Sequence, residues 1–287
     1  MNRYISKTRI YLKKYFPKIY NSTLALRSFI YRKLYLKKSE LNIISEFEEF
    51  SPNVSGDIDL KIMNTIFNIK NFSTSINNLI YTKPEIKKLN SLSKSDNEQN
   101  KLGELFTFYG SDKKALQYDL LYIDIFQNIN NFTCLIEIGI GTNNEKVLSN
   151  MSEFGSPGAS LRAFRDYLKS TNVIGLEFDK EVLFTEDGID TFHYDQNNEE
   201  QVNNLSKKYE NSVDVLIDDG LHSIVANINS IKLATNILKP QGYLIIEDIN
   251  PASIKLYLLA FKLVENIFDY ELYTNKSCLV ACLRKKS

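Results

Sequence analysis

From residue 133 onward, short apolar runs alternate with longer segments whose apolar positions recur every three or four residues. TCLIEIGI (133–140), NVIGLEFD (172–179), IDTFHYD (189–195), VDVLIDDG (213–220) and GYLIIEDI (242–249) predict strands. SLRAFRDYLK (160–169), EEQVNNLSKKY (199–209), IVANINSIKLATNIL (224–238) and SIKLYLLAFKLVENIF (253–268) predict helices, the first with Ser160 as its N-cap. YELYTN and CLVACLRK predict a closing hairpin that adds an antiparallel strand. Strands alternating with helices imply right-handed crossovers and a mostly parallel sheet covered on both faces. The predicted class is α/β: a doubly wound, mostly parallel seven-stranded sheet with a helical N-terminal extension. Residues 41–88 alternate apolar clusters with Asn, Ser and Pro, which suggests short helices, and the polar run SLSKSDNEQNK (91–101) reads as a linker. The domain boundary is placed near residue 95, giving an extension at 1–95 and a second domain at 96–287.

Composition narrows the class. The 287 residues carry 35 basic and 35 acidic side chains, a balance that argues against a general nucleic-acid binder. Cys134, Cys278 and Cys282 are too few and too irregular for a disulfide framework or a Cys-type zinc site. No apolar stretch approaches the roughly 20 residues of a membrane span, and charges interrupt the N-terminus throughout, so the expectation is a cytoplasmic protein. The charge is unevenly placed, however. Residues 1–40 hold 11 Lys/Arg, one acid and eight aromatics. Such a segment can lie on an anionic membrane surface, which would place the protein at the inner face of the membrane; the competing reading is a basic arm docked on the acidic body. No signal of oligomeric state is present.

In doubly wound sheets ligands bind at the carboxyl ends of the strands. The first strand ends in Glu137-Ile138-Gly139-Ile140-Gly141, where glycines admit a ligand close to the backbone. A nicotinamide-dinucleotide fingerprint would put a third glycine at Asn144 and an acid about 20 residues on, but the next strand-end acid, Glu177, lies 36 residues after Gly141. Glu177 can accept both hydroxyls of a ribose. The later strands end in Asp195-Gln196, Asp218-Asp219-Gly220-Leu221-His222 and Glu247-Asp248. Carboxylates converging on one rim repel one another, and a bound cation resolves the repulsion. Asp219, Glu247 and Asp248 offer the hard oxygen donors that Mg²⁺ prefers, while the plainer reading has some of these acids capping helices. Of the two histidines, His193 lies mid-strand and suggests a structural role. His222, beside three potential ligands, can take a proton from a substrate hydroxyl.

The runs YGSDK, LIEIGIGTNN, PGASLRAFRDYL, GLEFD, DQ, VDVLIDDGLH and LKPQGYLIIED, in order over about residues 103–285, resemble class I S-adenosylmethionine-dependent methyltransferases. More narrowly they resemble bacterial sugar O-methyltransferases of the macrolide and rhamnosyl type and their polysaccharide-cluster relatives. The resemblance implies that Glu137, Gly139 and Gly141 wrap the methionine half of the cofactor and that Glu177 holds its ribose. It also implies that Asp195 and Gln196 lie beside the adenine, that Asp218 closes the pocket, and that Asp112 and Tyr118 approach from an upstream motif. By the same resemblance, Asp219, Glu247 and Asp248 bind Mg²⁺ and His222 is the general base. Three departures concern the loops: Leu221 stands where Ser is common, Gln241 replaces the first glycine of a Lys-Pro-Gly-Gly turn, and Thr142–Ala159 is long, with Gly155, Pro157 and Gly158 suggesting an ordered loop or lid.

The function expected is Mg²⁺-assisted methyl transfer to a hydroxyl of a sugar or glycan, lipid-linked if residues 1–40 meet a membrane. Two other classes compete: an inactive methyltransferase-like module that docks on a membrane or partner, and an NAD-dependent oxidoreductase.

Overall fold

The computed structural model describes residues 84–92, 97–151, 155–169, 171–275 and 279–287. The basic, aromatic segment 1–40, most of the stretch 41–88 and Cys278 lie outside these residues, as does the predicted boundary near 95. Along the described chain run β1 (Lys87–Lys88), a 3₁₀ turn (Leu89–Leu92), α1 (Asn97–Tyr109), α2 (Tyr118–Gln127) and β2 (Cys134–Ile138). There follow α3 (Ala159–Leu168), β3 (Asn172–Glu177), β4 (Thr185–Glu186), β5 (Ile189–His193) and α4 (Glu199–Lys208). The last elements are β6 (Val213–Asp218), α5 (Ile224–Ile237), β7 (Leu238–Ile249), α6 (Ile254–Leu263), β8 (Phe268–Thr274) and β9 (Leu279–Lys285).

The described strands form one sheet in the order β1-β8-β9-β7-β6-β2-β3-β5-β4. Seven are long, as predicted; β1 and β4 add a two-residue strand at each edge. Pairings among β5, β3, β2, β6 and β7 are parallel, and β9 runs antiparallel to both β7 and β8. Every residue of β2 and β6 is buried, the signature of strands covered on both faces. From β2 the chain steps outward through β3 to β5, then returns to β6 on the other side of β2. Strand order therefore reverses between β2 and β6, which makes their carboxyl ends the topological switch point.

Three local expectations are corrected. Ser160 is not an N-cap: Gly158, in the left-handed region, precedes α3, and the Ser160 side chain turns inward. The polar run read as a linker already enters α1 at Asn97. Lys87–Lys88, at the end of the stretch read as short helices, pair with β8, and Leu89 is buried in the core beside α2. The reason is common to the last two: one turn of helix or two residues of edge strand is too short to impose a period on the sequence.

Packing on one face brings the site together. Leu135, Val215, Ile217 and Ile245 point from the sheet toward α1, α2 and α3. There Phe106, Tyr122, Phe126 and Phe164 meet mostly edge to face, with centroids of Phe106–Phe164 at 5.3 Å and Tyr122–Phe164 at 5.1 Å. This cluster fixes α2 over the strand ends and aims the Tyr122 hydroxyl at β7. On the other face α5 packs against β6 and β7 and against α4.

Candidate functional site

At the end of β6, alternation sends the neighbours Asp218 and Asp219 to opposite faces of the sheet. Asp218, at the end of β6, is fully buried on the α5 side. It accepts hydrogen bonds from Gln196 Nε2 (2.8 Å), Asn227 Nδ2 (2.6 Å) and the Gly220 amide. Gln196 Oε1 in turn accepts the Leu221 amide at 2.8 Å. Gln196 and Asp218 therefore spend much of their hydrogen-bonding capacity on shaping the turn after β6. Asp195 lies apart from them, part-buried, accepting from the Asn197 amide.

Asp219 groups instead with Glu137 and Glu247, and these three converge on a residue that sequence reasoning missed. Lys113, from the connection between α1 and α2, is buried with its Nζ 2.8 Å from Asp219 Oδ2, 2.5 Å from Glu247 Oε2 and 3.3 Å from Glu137 Oε1. Burial alone disfavours its charge, but the three carboxylates outweigh that and hold its pKa well above the ordinary lysine value. Burial likewise raises the pKa of Glu137, of Asp219 and of Glu247, the last to about 7, while Lys113 pulls each back down. The signal for Lys113 stood in YGSDK, beside Asp112; Asp112 itself is exposed.

The remaining oxygens are also held. Glu137 Oε2 accepts the inward-turned Ser160 hydroxyl at 2.5 Å. Tyr122 donates to Glu247 Oε1, and Tyr118, one turn earlier on the same face of α2, donates to Asp248 Oδ1. Glu247 is thus turned inward onto Lys113 and Tyr122. Asp219, His222 and Asp248 form a separate group whose ligand atoms all lie within 4.8 Å of one another. His222 Nε2 is 3.9 Å from Asp219 Oδ1, and its buried Nδ1 has no hydrogen-bond partner among the described residues. His222 (φ 52°) and Asp248 (φ 51°) both occupy the left-handed region. Asp and His tolerate that conformation better than most non-glycine residues, and here it sets the direction of both side chains.

The glycine turn and Glu177 lie across the switch point. Gly139 has φ 84°, and a Cβ there would fall 2.2 Å from the Asp219 carbonyl oxygen, so glycine is required for β2 and the β6 turn to approach. Glu177, at the end of β3, accepts the Ile140 amide on Oε2 and the Asp179 amide on Oε1, both at 3.0 Å. Each oxygen retains a further lone pair for a hydroxyl donor. In the described part of the long loop, Thr142 Oγ1 donates to Asp179 at 2.6 Å and Met151 donates its amide to the Thr142 carbonyl at 2.9 Å. The Gly158 amide closes back onto Ile140.

No protein-family model matches the chain, and no curated protein does. Solved structures do. The MycE methyltransferase from the mycinamycin biosynthetic pathway, in complex with Mg and SAH, aligns with TM-score 0.53 and 24% identity over 65% of this chain and 55% of that one. A second crystal form gives 0.53 and 22%, and its complex with Mg, SAH and mycinamycin VI gives 0.52 and 23%. The chain spans about half the length of these relatives. The likeness establishes the fold as the Rossmann-like methyltransferase fold, in agreement with the class read from sequence.

Proposed function

We propose that the chain is an S-adenosylmethionine-dependent O-methyltransferase acting on a hydroxyl of a sugar or glycan, assisted by Mg²⁺. The observation that carries the reading is the grouping of Asp219, His222 and Asp248 beside the glycine turn at the switch point. The two carboxylates offer the oxygen donors that suit Mg²⁺, and the imidazole stands within 4.8 Å of them, free to serve as a base beside the ion. Asp219 and Asp248 would hold the ion, while Glu247, expected from the sequence as a third ligand, is turned onto Lys113 and Tyr122. The ion supplies charge that lowers the pKa of a hydroxyl bound to it. S-adenosylmethionine supplies an already electrophilic methyl group, so the chain's own work is to position the acceptor and remove its proton.

The residues divide that work. Gly139 and Gly141, both at positive φ, shape the turn after β2 against which the donor would lie, and Glu177 accepts the ribose hydroxyls. Tyr118 steadies Asp248 from α2. His222, held at the mouth of the group with Nε2 toward Asp219, takes the acceptor proton. The sugar as acceptor rests on the sequence resemblance. MycE, similar in fold, has been solved with Mg, SAH and mycinamycin VI together.

Replacing His222 with Ala tests the assignment. Turnover should fall by about 10²-fold or more while affinity for S-adenosylhomocysteine changes little. A large loss of that affinity, or unaltered turnover, would make the histidine structural.

A further inference from the structure

Lys113 is unusual among the site's groups. A lysine buried this deeply is rarely stable unless paired, and this one faces three carboxylates from three neighbouring strand ends: Glu137 of β2, Asp219 after β6 and Glu247 of β7. Its chain reaches them from outside the sheet, so one ammonium ties together the glycine-turn side and the β6–β7 side of the switch point. Charge is not balanced by it: one cation faces three carboxylates, with Asp248 close enough to Asp219 for the two to repel. Among the described residues the fully buried Glu137 Oε1 atom has no hydrogen-bond partner and meets the ammonium at 3.3 Å. Asp219 stands in both arrangements, with Oδ2 on Lys113 and Oδ1 facing His222.

We infer that Lys113 is the internal counter-ion of this site, holding Asp219 and Glu247 when no divalent cation is bound, and that a cation enters by competing with it for Asp219. The inference deepens the proposed reading of the same residues and names a positioning role that the reading does not contain. The competition has a direction. A fixed positive charge 2.8 Å from the ligand carboxylate Asp219 opposes a second cation there, so removing it should tighten divalent binding. If Lys113 served only to orient Asp219, removing it would loosen binding.

Lys113→Met, which keeps the length of the stem without its charge, separates the two. Calorimetric titration of the whole chain with Mn²⁺ alone should show binding about tenfold tighter or more in the variant than in the wild type. Thermal unfolding in EDTA should fall by several degrees and recover largely on adding Mn²⁺, because the cation then balances the uncompensated carboxylates. Lys113→Arg, which keeps the charge, should retain stability in EDTA and show no tightening. Unchanged or weaker Mn²⁺ binding by Lys113→Met overturns the inference, as does a loss of folding that Mn²⁺ does not restore. S-adenosylhomocysteine binding, measured on the same samples, reports separately on the methyltransferase reading: its absence from every sample would sink that reading without touching the counter-ion result.

Discussion

Asp119 lies in the first turn of α2, buried beside Gly103, away from the acidic group at the strand ends. Burial raises its pKa to about 6, opposed by the backbone amides of the helix start and by Lys114. The sign follows from proton binding: between about pH 4 and 6 the folded state holds a proton that the unfolded state has released, so stability falls as pH rises through this window. Two pKa units correspond to roughly 3 kcal/mol. Asp119→Asn should therefore match the wild type below about pH 4 and exceed it by about 2 kcal/mol at pH 8, measured by urea denaturation across the range. A variant less stable at pH 8 would show that the charge at the helix N-terminus outweighs its burial. Single residues also mark where the sequence was readable. Gly139 and Glu177 stood out because a glycine turn and a strand-end acid carry their meaning locally. YGSDK marked the position of Lys113 but not its role, because nothing in the motif says that three carboxylates from distant strands will surround the lysine.

Among the elements, β6 and β2 are joined by more than their ladder. Asp214 sends one oxygen to the Thr133 amide (2.8 Å), the Cys134 amide (2.9 Å) and the Thr133 hydroxyl, and the other to Lys239 Nζ at 2.7 Å. This side chain fastens the start of β2, whose far end carries Glu137 and Gly139. Asp214→Ala should cost about 2–4 kcal/mol, since it strands two amides and a lysine. Denaturation with an unchanged slope and a lower midpoint would register it; a loss below about 1 kcal/mol would mean that water or Lys239 takes over. At this scale the parallel strands were legible because burial on both faces leaves continuous apolar runs. Helix α1 was hidden by its polar opening NEQNK, and α2 (YDLLYIDIFQ) by its nearly continuous apolar run, which shows no preferred face. The alternation that separates Asp218 from Asp219 was present in the strand pattern, yet its consequence depends on which helices cover each face.

For the whole molecule, the decisive feature is the reversal of strand order between β2 and β6, which gathers Glu137, Asp219, His222, Glu247 and Asp248 at one rim. Among the described residues no helix is long and apolar enough to cross a membrane. The membrane contact proposed for residues 1–40 rests on their 11 basic and eight aromatic side chains. Failure to co-sediment with anionic vesicles at low salt would remove it, and the lipid-linked acceptor with it. Whether the switch point receives the donor at all is open to direct measurement. Calorimetric titration of the whole chain with S-adenosylhomocysteine, in Mg²⁺ and again in EDTA, should give micromolar binding in both buffers. No binding in either would leave the fold without its donor and contradict the methyltransferase assignment.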